Sequence, residues 1–431
     1  MFKDHPLRDS LAAELHARPH GAVHTPAEVS HLAVRTGETS AAADFSHLTA
    51  LCSHFQVAPP ASDSTLFAAD MGAFRLKWER HTEFSAYTFI KEGHFDTPFK
   101  QPAIAAVPVD WLSSIPGEVI SALHIAIERG DTNDRSTDQA ARVFDNNSVV
   151  GGLLADGKAV WWTDFRIHAD RFSRFLFRTD TVSTETTGRL AQRIIEMETY
   201  RLMAMLALPI ARDARPRVSA AESELSQILG QLAEDRGDRG DSDDRALLAD
   251  LTRLAAETEN ITGLVAYRFN ASRAYQEIVR QRVEALREQR IPGLQPAGSF
   301  LLTRFEPAME TCDNLSRRLE NLSARIARAG NLLRTRVDVA LEEQNRDLLR
   351  SMNRRAQLQL RLQQTVEGLS VAAISYYVVS LVIYLAKGAK TLGSPVDPHL
   401  AGMIALPLVA GGVWIGVRRV RHALNGKNRP E

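Results

Sequence analysis

GLSVAAISYYVVSLVIYLA, Gly368 to Ala386, carries no charged residue. It is about the length that crosses a roughly 30 Å hydrocarbon core as a helix. LAGMIALPLVAGGVWIGV, Leu400 to Val417, is a second uncharged run of similar length. The short connection between them predicts a helical hairpin, whose backbone groups are all bonded internally, as lipid requires. A pair of core helices in a soluble protein is the bland alternative. Charged flanks on both runs count against it.

Those flanks set an orientation. Arg350, Arg354, Arg355 and Arg361 precede the first run; Arg418, Arg419, Arg421, Lys427 and Arg429 follow the second. The connection carries Lys387 and Lys390 against Asp397. The excess of basic residues outside the hairpin predicts both termini in the cytoplasm. Those residues can also meet anionic lipid head groups, so the bilayer is an expected partner. Ser370, Ala373, Tyr377, Ser380 and Tyr384 recur at helical spacing, and Gly412 and Gly416 form a GxxxG pair. Such faces pack helices in lipid or line a pore. The spans hold no carboxylate, Lys or Arg to mark an ion path, which favours packing.

Upstream, no proline occurs between Pro307 and Pro395. Ala308, Leu315, Leu322 and Ala329 form one heptad series; Cys312, Leu319, Ile326 and Leu333 form the other. This alternation predicts a coiled-coil seam. The run 246–290 is another long helix, with Leu247, Leu251, Leu254, Thr258, Ile261 and Val265 on one face. Ile291-Pro-Gly293 turns the chain, so the two helices form an antiparallel hairpin. Shorter helices are predicted over 184–208, closed by Pro209, and over 219–235. The polar run 236–244 reads as a solvated loop.

The first part of the chain has strand signals. They fall at 29–35, 74–79, 83–90, 124–128 and 172–177, with a helix over 44–56. Val149 to Leu154 and Ala159 to Trp162 flank Asp156-Gly157, a strong hairpin. Gly151-Gly152 lies in that hairpin, where close packing is the ordinary explanation. Trp78, Trp161 and Trp162 are read as core, with a stacking platform as the alternative. Asp164, His168, Asp170 and Arg171 form a scatter of polar residues. No phosphate loop, dinucleotide fingerprint or nucleophile elbow is present, and no catalytic residue is assigned.

The N-terminus opens His5-Pro-Leu-Arg8, a short amphipathic helix ended by Pro19 and Gly21. His5, Arg8, Glu14, His16 and Arg18 are dense enough for an anion or ligand site; the alternative is an arm tied down by hydrogen bonds. His5-Pro-Leu-Arg8, Glu14-Leu-His-Ala-Arg-Pro19, Glu198-Thr-Tyr-Arg201 and the two-span C-terminus resemble a bacterial family of uncharacterised membrane-anchored proteins, domain-of-unknown-function family 3422. The resemblance covers essentially the whole chain. It implies membrane anchoring and brings no catalytic residues.

Lys plus Arg equal Asp plus Glu at 52 each, so nothing global points to nucleic acid. Two cysteines, Cys52 and Cys312, fit a reducing compartment and offer no metal-ligand spacing. No cofactor or metal is expected. The fold class is α+β: a mixed, mainly antiparallel sheet domain, long antiparallel coiled-coil-like helices, then a transmembrane hairpin. The divisions are an arm (1–25), a cytoplasmic α/β domain (26–183), a helical stalk region (184–367), the first span (368–386), an external loop (387–399), the second span (400–417) and a basic tail (418–431).

The expected function is a multi-pass protein of the bacterial inner membrane, an interaction or structural protein that forms homo-oligomers through stalk and hairpin. Two alternatives stay open. The layout is similar to that of CorA-type magnesium channels, but Tyr384-Leu-Ala-Lys387-Gly388 stands where those channels carry Gly-Met-Asn. The other is an anchored enzyme or sensor using the N-terminal His/Arg arm.

Overall fold

The computed structural model describes residues 4–8, 21–36, 41–131, 135–233, 241–391, 395 and 397–425. Among them the chain runs β1 (Ala27–Arg35), α1 (Ala41–His54), β2 (Leu66–Asp70), β3 (Arg75–Arg80) and β4 (Ser85–Glu92). A 3-10 turn (Ala103–Ala106), α2 (Val109–Ser113), β5 (Glu118–Arg129), α3 (Thr137–Val143), β6 (Val150–Leu154), β7 (Ala159–Ile167) and β8 (Ser173–Thr179) follow. The helical half comprises α4 (Thr184–Met205), α5 (Ala207–Ala233), α6 (Asp241–Leu286), α7 (Ala297–Thr391) and α8 (Pro398–Asn425). Two compact units result: Met1–Asp235 with Ala249–Gly330, and Arg236–Leu248 with Asn331–Glu431.

The first unit is built on one eight-stranded sheet, ordered β2-β3-β4-β1-β5-β8-β7-β6. Among the described residues only the β5–β8 pairing is parallel; the others are antiparallel. The period-two alternation of a strand divides its side chains between two covered faces. On one face Val29, Ile125, Phe175 and Trp161 pack against Leu190 and Ile194 of α4, with Val279 of α6 and Phe305 of α7. On the other, Leu32, Leu76, Trp78 and Phe89 pack against Leu48 and Leu51 of α1 and Trp111 of α2. Central strands sandwiched this way lose their hydrophobic alternation, and β1 is buried from Ala27 to Val34. Trp78, Trp161 and Trp162 are all buried, so they are core and not a stacking platform.

The Gly-Gly hairpin forms as its sequence predicts, with Asp156 and Gly157 at positive φ. Gly151 is required by contact: a Cβ there would lie 2.0 Å from the Trp161 carbonyl oxygen. Gly152 meets the Glu288 and Gln289 segment that covers the edge of β6, at 2.6 Å from Glu288 Cγ. The Glu288 carboxylate accepts from the Ala297 and Gly298 N–H groups at 2.9 and 2.8 Å and from Trp161 Nε1 at 2.8 Å. It thus satisfies orphan donors at the start of α7. Glu288→Ala strands all three donors, and a loss of about 2 kcal/mol is expected. Urea unfolding followed by tryptophan fluorescence measures it; an unchanged midpoint would refute this capping role.

The helices extend past two sequence-predicted boundaries. Pro209 does not close a helix; it lies in the first turn of α5, where a missing N–H costs nothing. Pro216 and Pro307 lie inside α5 and α7. Each removes one ladder hydrogen bond, and packing outweighs the loss. Ala211 and Val218 of α5 share a core with Ile261 and Val265 of α6 and Leu315 and Leu319 of α7. Arg273 meets Asp313 at 2.7 Å and Arg280 meets Glu306 at 2.5 Å, so α6 and α7 run antiparallel. The pair has a third member, because Arg318 of α7 also holds Glu222 of α5 at 2.7 Å. The run 236–244 is not all loop, since α6 reaches back to Asp241.

In the second unit the chain-internal packing of the hairpin is thin. Ser375, Val379 and Ala386 are buried, and a Cβ on Gly402 would lie 2.9 Å from Ile383, so the two helices touch there. Of the apolar windows of α7 and α8, 17% and 6% respectively are buried. Every residue from 341 to 366 is exposed.

Candidate functional site

The sheet face beneath α4 changes character along its width. Toward β5, β8 and β7 it is apolar. Toward β1, β4 and β3 the inward positions are His31, Thr88, Lys77 and Glu79. A buried polar group is costly unless bonded, and here partners are present. His31 Nδ1 lies 2.8 Å from Thr88 Oγ1, and Nε2 lies 3.3 Å from Thr199 Oγ1 of α4. Lys77 Nζ lies 3.0 Å from Glu79 and donates to Gln192 Oε1 at 3.4 Å. Arg282 of α6 pairs with Glu196.

All of these groups but Thr88 line a cavity of about 220 Å³, together with His81, Phe84 and Tyr200. Helical spacing explains the α4 contribution: Gln192, Ile195, Glu196 and Thr199 fall on one face. A second cavity of about 150 Å³ shares Lys77, Gln192 and Ile195 with the first. Its other walls are mostly apolar, among them Val23, Val29, Leu76 and Ile90. Burial, followed by the nearby His81 and Lys77, pushes the His31 pKa down to about 3. The polar compartment therefore sets Lys77 and Arg282 against Glu79 and Glu196, with His81 on its wall and a neutral His31.

The segment Glu198-Thr-Tyr-Arg201 divides between two sides of α4. Thr199 and Tyr200 face this cleft. Glu198, fully buried, accepts from Arg201 Nε at 2.9 Å and Nη2 at 2.6 Å. Ser173 Oγ lies 3.4 Å from the same carboxylate. Burial would lower the Arg201 pKa, but Glu198 outweighs it and raises it. Close by, Glu83 is held by both terminal nitrogens of Arg268, at 2.8 and 3.0 Å, and by Tyr275. Burial alone would raise the Glu83 pKa; bonds from Tyr267, Arg268 and Tyr275 hold it below the usual carboxylate range.

Of the polar scatter, Asp164 and His168 fall in one cluster, while Asp170 pairs with Arg174. His168 lies 2.9 Å from Asp145 and 3.1 Å from Asp164, and Asn147 donates to Asp164 at 2.8 Å. These bonds tie β7 to the segment after α3. Among the described residues no group of three or more His, Cys, Asp or Glu is arranged to hold a metal.

Of the N-terminal candidates, His5 and Arg8 are exposed. His5 Nδ1 accepts from the Leu7 N–H at 3.2 Å, and Arg8 pairs with Asp4. Glu14, His16 and Arg18 lie outside the described residues. From residue 21 onward the described chain is pinned beside the apolar compartment. Arg75 donates to the Ala22 carbonyl at 2.6 Å, and His24 meets Glu92 at 3.0 Å. A Cβ on Gly188 of α4 would lie 1.9 Å from the Gly21 carbonyl oxygen. In the hairpin, Ser370, Ala373, Tyr377, Tyr384, Gly412 and Gly416 are exposed and Ser380 is half-buried.

Sequence reasoning did not find the cleft. Its one signal was polar residues at inward strand positions, Lys77 and Glu79 flanking a core tryptophan. No curated protein matches the chain. The profile of the family described as protein of unknown function (DUF3422) matches residues 3–424, and the chain belongs to that family.

Proposed function

We infer that the protein is an integral membrane protein anchored by the α7–α8 hairpin, and that its role is interaction: the exposed stretch of α7 associates with further copies of the chain. The observation that carries this reading is exposure. Leu381, Leu385, Met403, Ile404 and Leu408 are all more than half exposed in helices long and apolar enough to span a bilayer. Core helices bury such residues, and soluble surfaces rarely carry them in patches this large. The flanking arginines support a topology with both termini in the cytoplasm of a bacterial cell. Leu341, Leu348, Met352 and Leu362 lie in the stretch where no residue is covered within one chain. A second copy supplies the cover such a helix lacks.

Expressed full-length protein is expected to stay in the membrane pellet after alkaline carbonate extraction. A cysteine at Lys390 should react with an impermeant maleimide added outside, whereas one at Arg418 should not. Native Cys52 and Cys312 are buried and give little background. Release into the supernatant would sink the anchoring, and labelling reversed between the two sites would sink the orientation. Disulfide cross-linking of Leu348→Cys should give dimers. A closed ring with an axial path and metal flux would instead support the channel reading.

A further inference from the structure

We propose that the cleft between α4 and the β1–β4–β3 half of the sheet binds a small zwitterion with an apolar side chain, an apolar α-amino acid or a close amino-carboxylate relative. The site is independent of the hairpin's role. Three observations carry it.

The first is charge. Lys77 pairs with Glu79 and Arg282 with Glu196, so both signs line one compartment, with His81 on the same wall. A simple anion meets cations already countered, and a simple cation meets carboxylates already countered. A ligand carrying both signs a few bonds apart exchanges one pair for two. Its carboxylate takes the Lys77 or Arg282 side and its ammonium the Glu79 or Glu196 side.

The second is shape. The adjoining compartment, of about 150 Å³, is mainly apolar, and a cavity of roughly that volume accepts a benzene-sized group. Leucine and phenylalanine side chains are on that scale. The third is continuity. Lys77, Gln192 and Ile195 line both compartments. Lys77 donates to Gln192 across the boundary, where the charged head would give way to the side chain. His31, kept neutral by burial, adds an uncharged polar wall.

The test is isothermal titration of the full chain in nanodiscs with leucine, phenylalanine, 4-methylpentanoate and 3-methylbutylamine. Leucine or phenylalanine is expected to bind saturably, with Kd near or below about 1 mM, the weak end of specific recognition. The analogues carrying a single charge should bind at least about tenfold more weakly. Glu196→Gln should weaken amino-acid binding by a similar factor, and Ala191→Leu, which fills the apolar compartment, should abolish it. Equal binding of 4-methylpentanoate would overturn the zwitterion. Binding unaffected by Ala191→Leu would overturn the location. Absence of saturable binding by either amino acid to the wild-type chain would overturn the proposal outright. The analogue comparison uses the unaltered protein, so it holds even where a variant misfolds.

Discussion

Arg201→Met is expected to destabilise the sheet unit by about 3–5 kcal/mol, the scale for removing one member of a buried ion pair. Glu198 is fully buried, and two of its bonds come from the Arg201 guanidinium. Without Arg201 a carboxylate remains in the core with Ser173 at 3.4 Å. The cost is that of an uncompensated charge, which exceeds the net contribution of the intact pair. Removing both charges should therefore recover most of the loss: Arg201→Met with Glu198→Leu is expected to unfold close to the wild-type urea midpoint. Tryptophan fluorescence reads this unit well, since Trp78, Trp111, Trp161 and Trp162 all lie in it. Should Arg201→Met alone leave the midpoint in place, the pair is not the internal tie described.

The second large effect is acid destabilisation. Burial depresses His31 to about 3 and His124 to about 4, from an ordinary 6.5. The unfolded chain then binds more protons than the folded one between about pH 6.5 and pH 4. Their contribution is complete above 6.5 and declines as pH falls through that window. At pH 5 each imidazole costs about 2 kcal/mol, since one unit corresponds to about 1.4 kcal/mol. The pair together should lower stability by about 4 kcal/mol between pH 7 and pH 5. His31→Gln should roughly halve that fall. His124, stacked on Phe172 with centroids 3.9 Å apart and bonded to Ser30, supplies the rest. A wild-type midpoint that does not move over this range would disprove the assignment.

Much of the architecture was legible because its signals are local. A charge-free run of membrane length needs no partner to be recognised, and Asp156-Gly157 between apolar runs defines a hairpin within itself. Heptad spacing marked Leu315, Leu319, Leu322 and Ile326, and all four are buried. What escaped depends on distant neighbours. β2, Leu-Phe-Ala-Ala-Asp, is a short edge strand with few β-branched or aromatic residues to mark it. The parallel β5–β8 pairing joins segments that no turn connects. The continuation of α5 through Pro216 is paid for by packing on α6 and α7. The cleft draws on β1, β3, α4 and α6 at once, so no single stretch of sequence carries its pattern. Its residues look like ordinary strand and helix polar positions until the fold brings them together.

The covering of β6 also limits how this protein can meet others. The Gly151 N–H donates to Gln295 and the Leu153 N–H to Gln289, while the Gln289 N–H donates back to Leu153. That margin of the sheet is already occupied by the chain's own backbone. The opposite margin, β2, is only five residues long and ends in Asp70. Short, charged or covered margins resist strand-to-strand recruitment. A partner peptide that works by adding a β-strand finds no ready template here, and the same design discourages sheet-to-sheet polymerisation among neighbouring molecules.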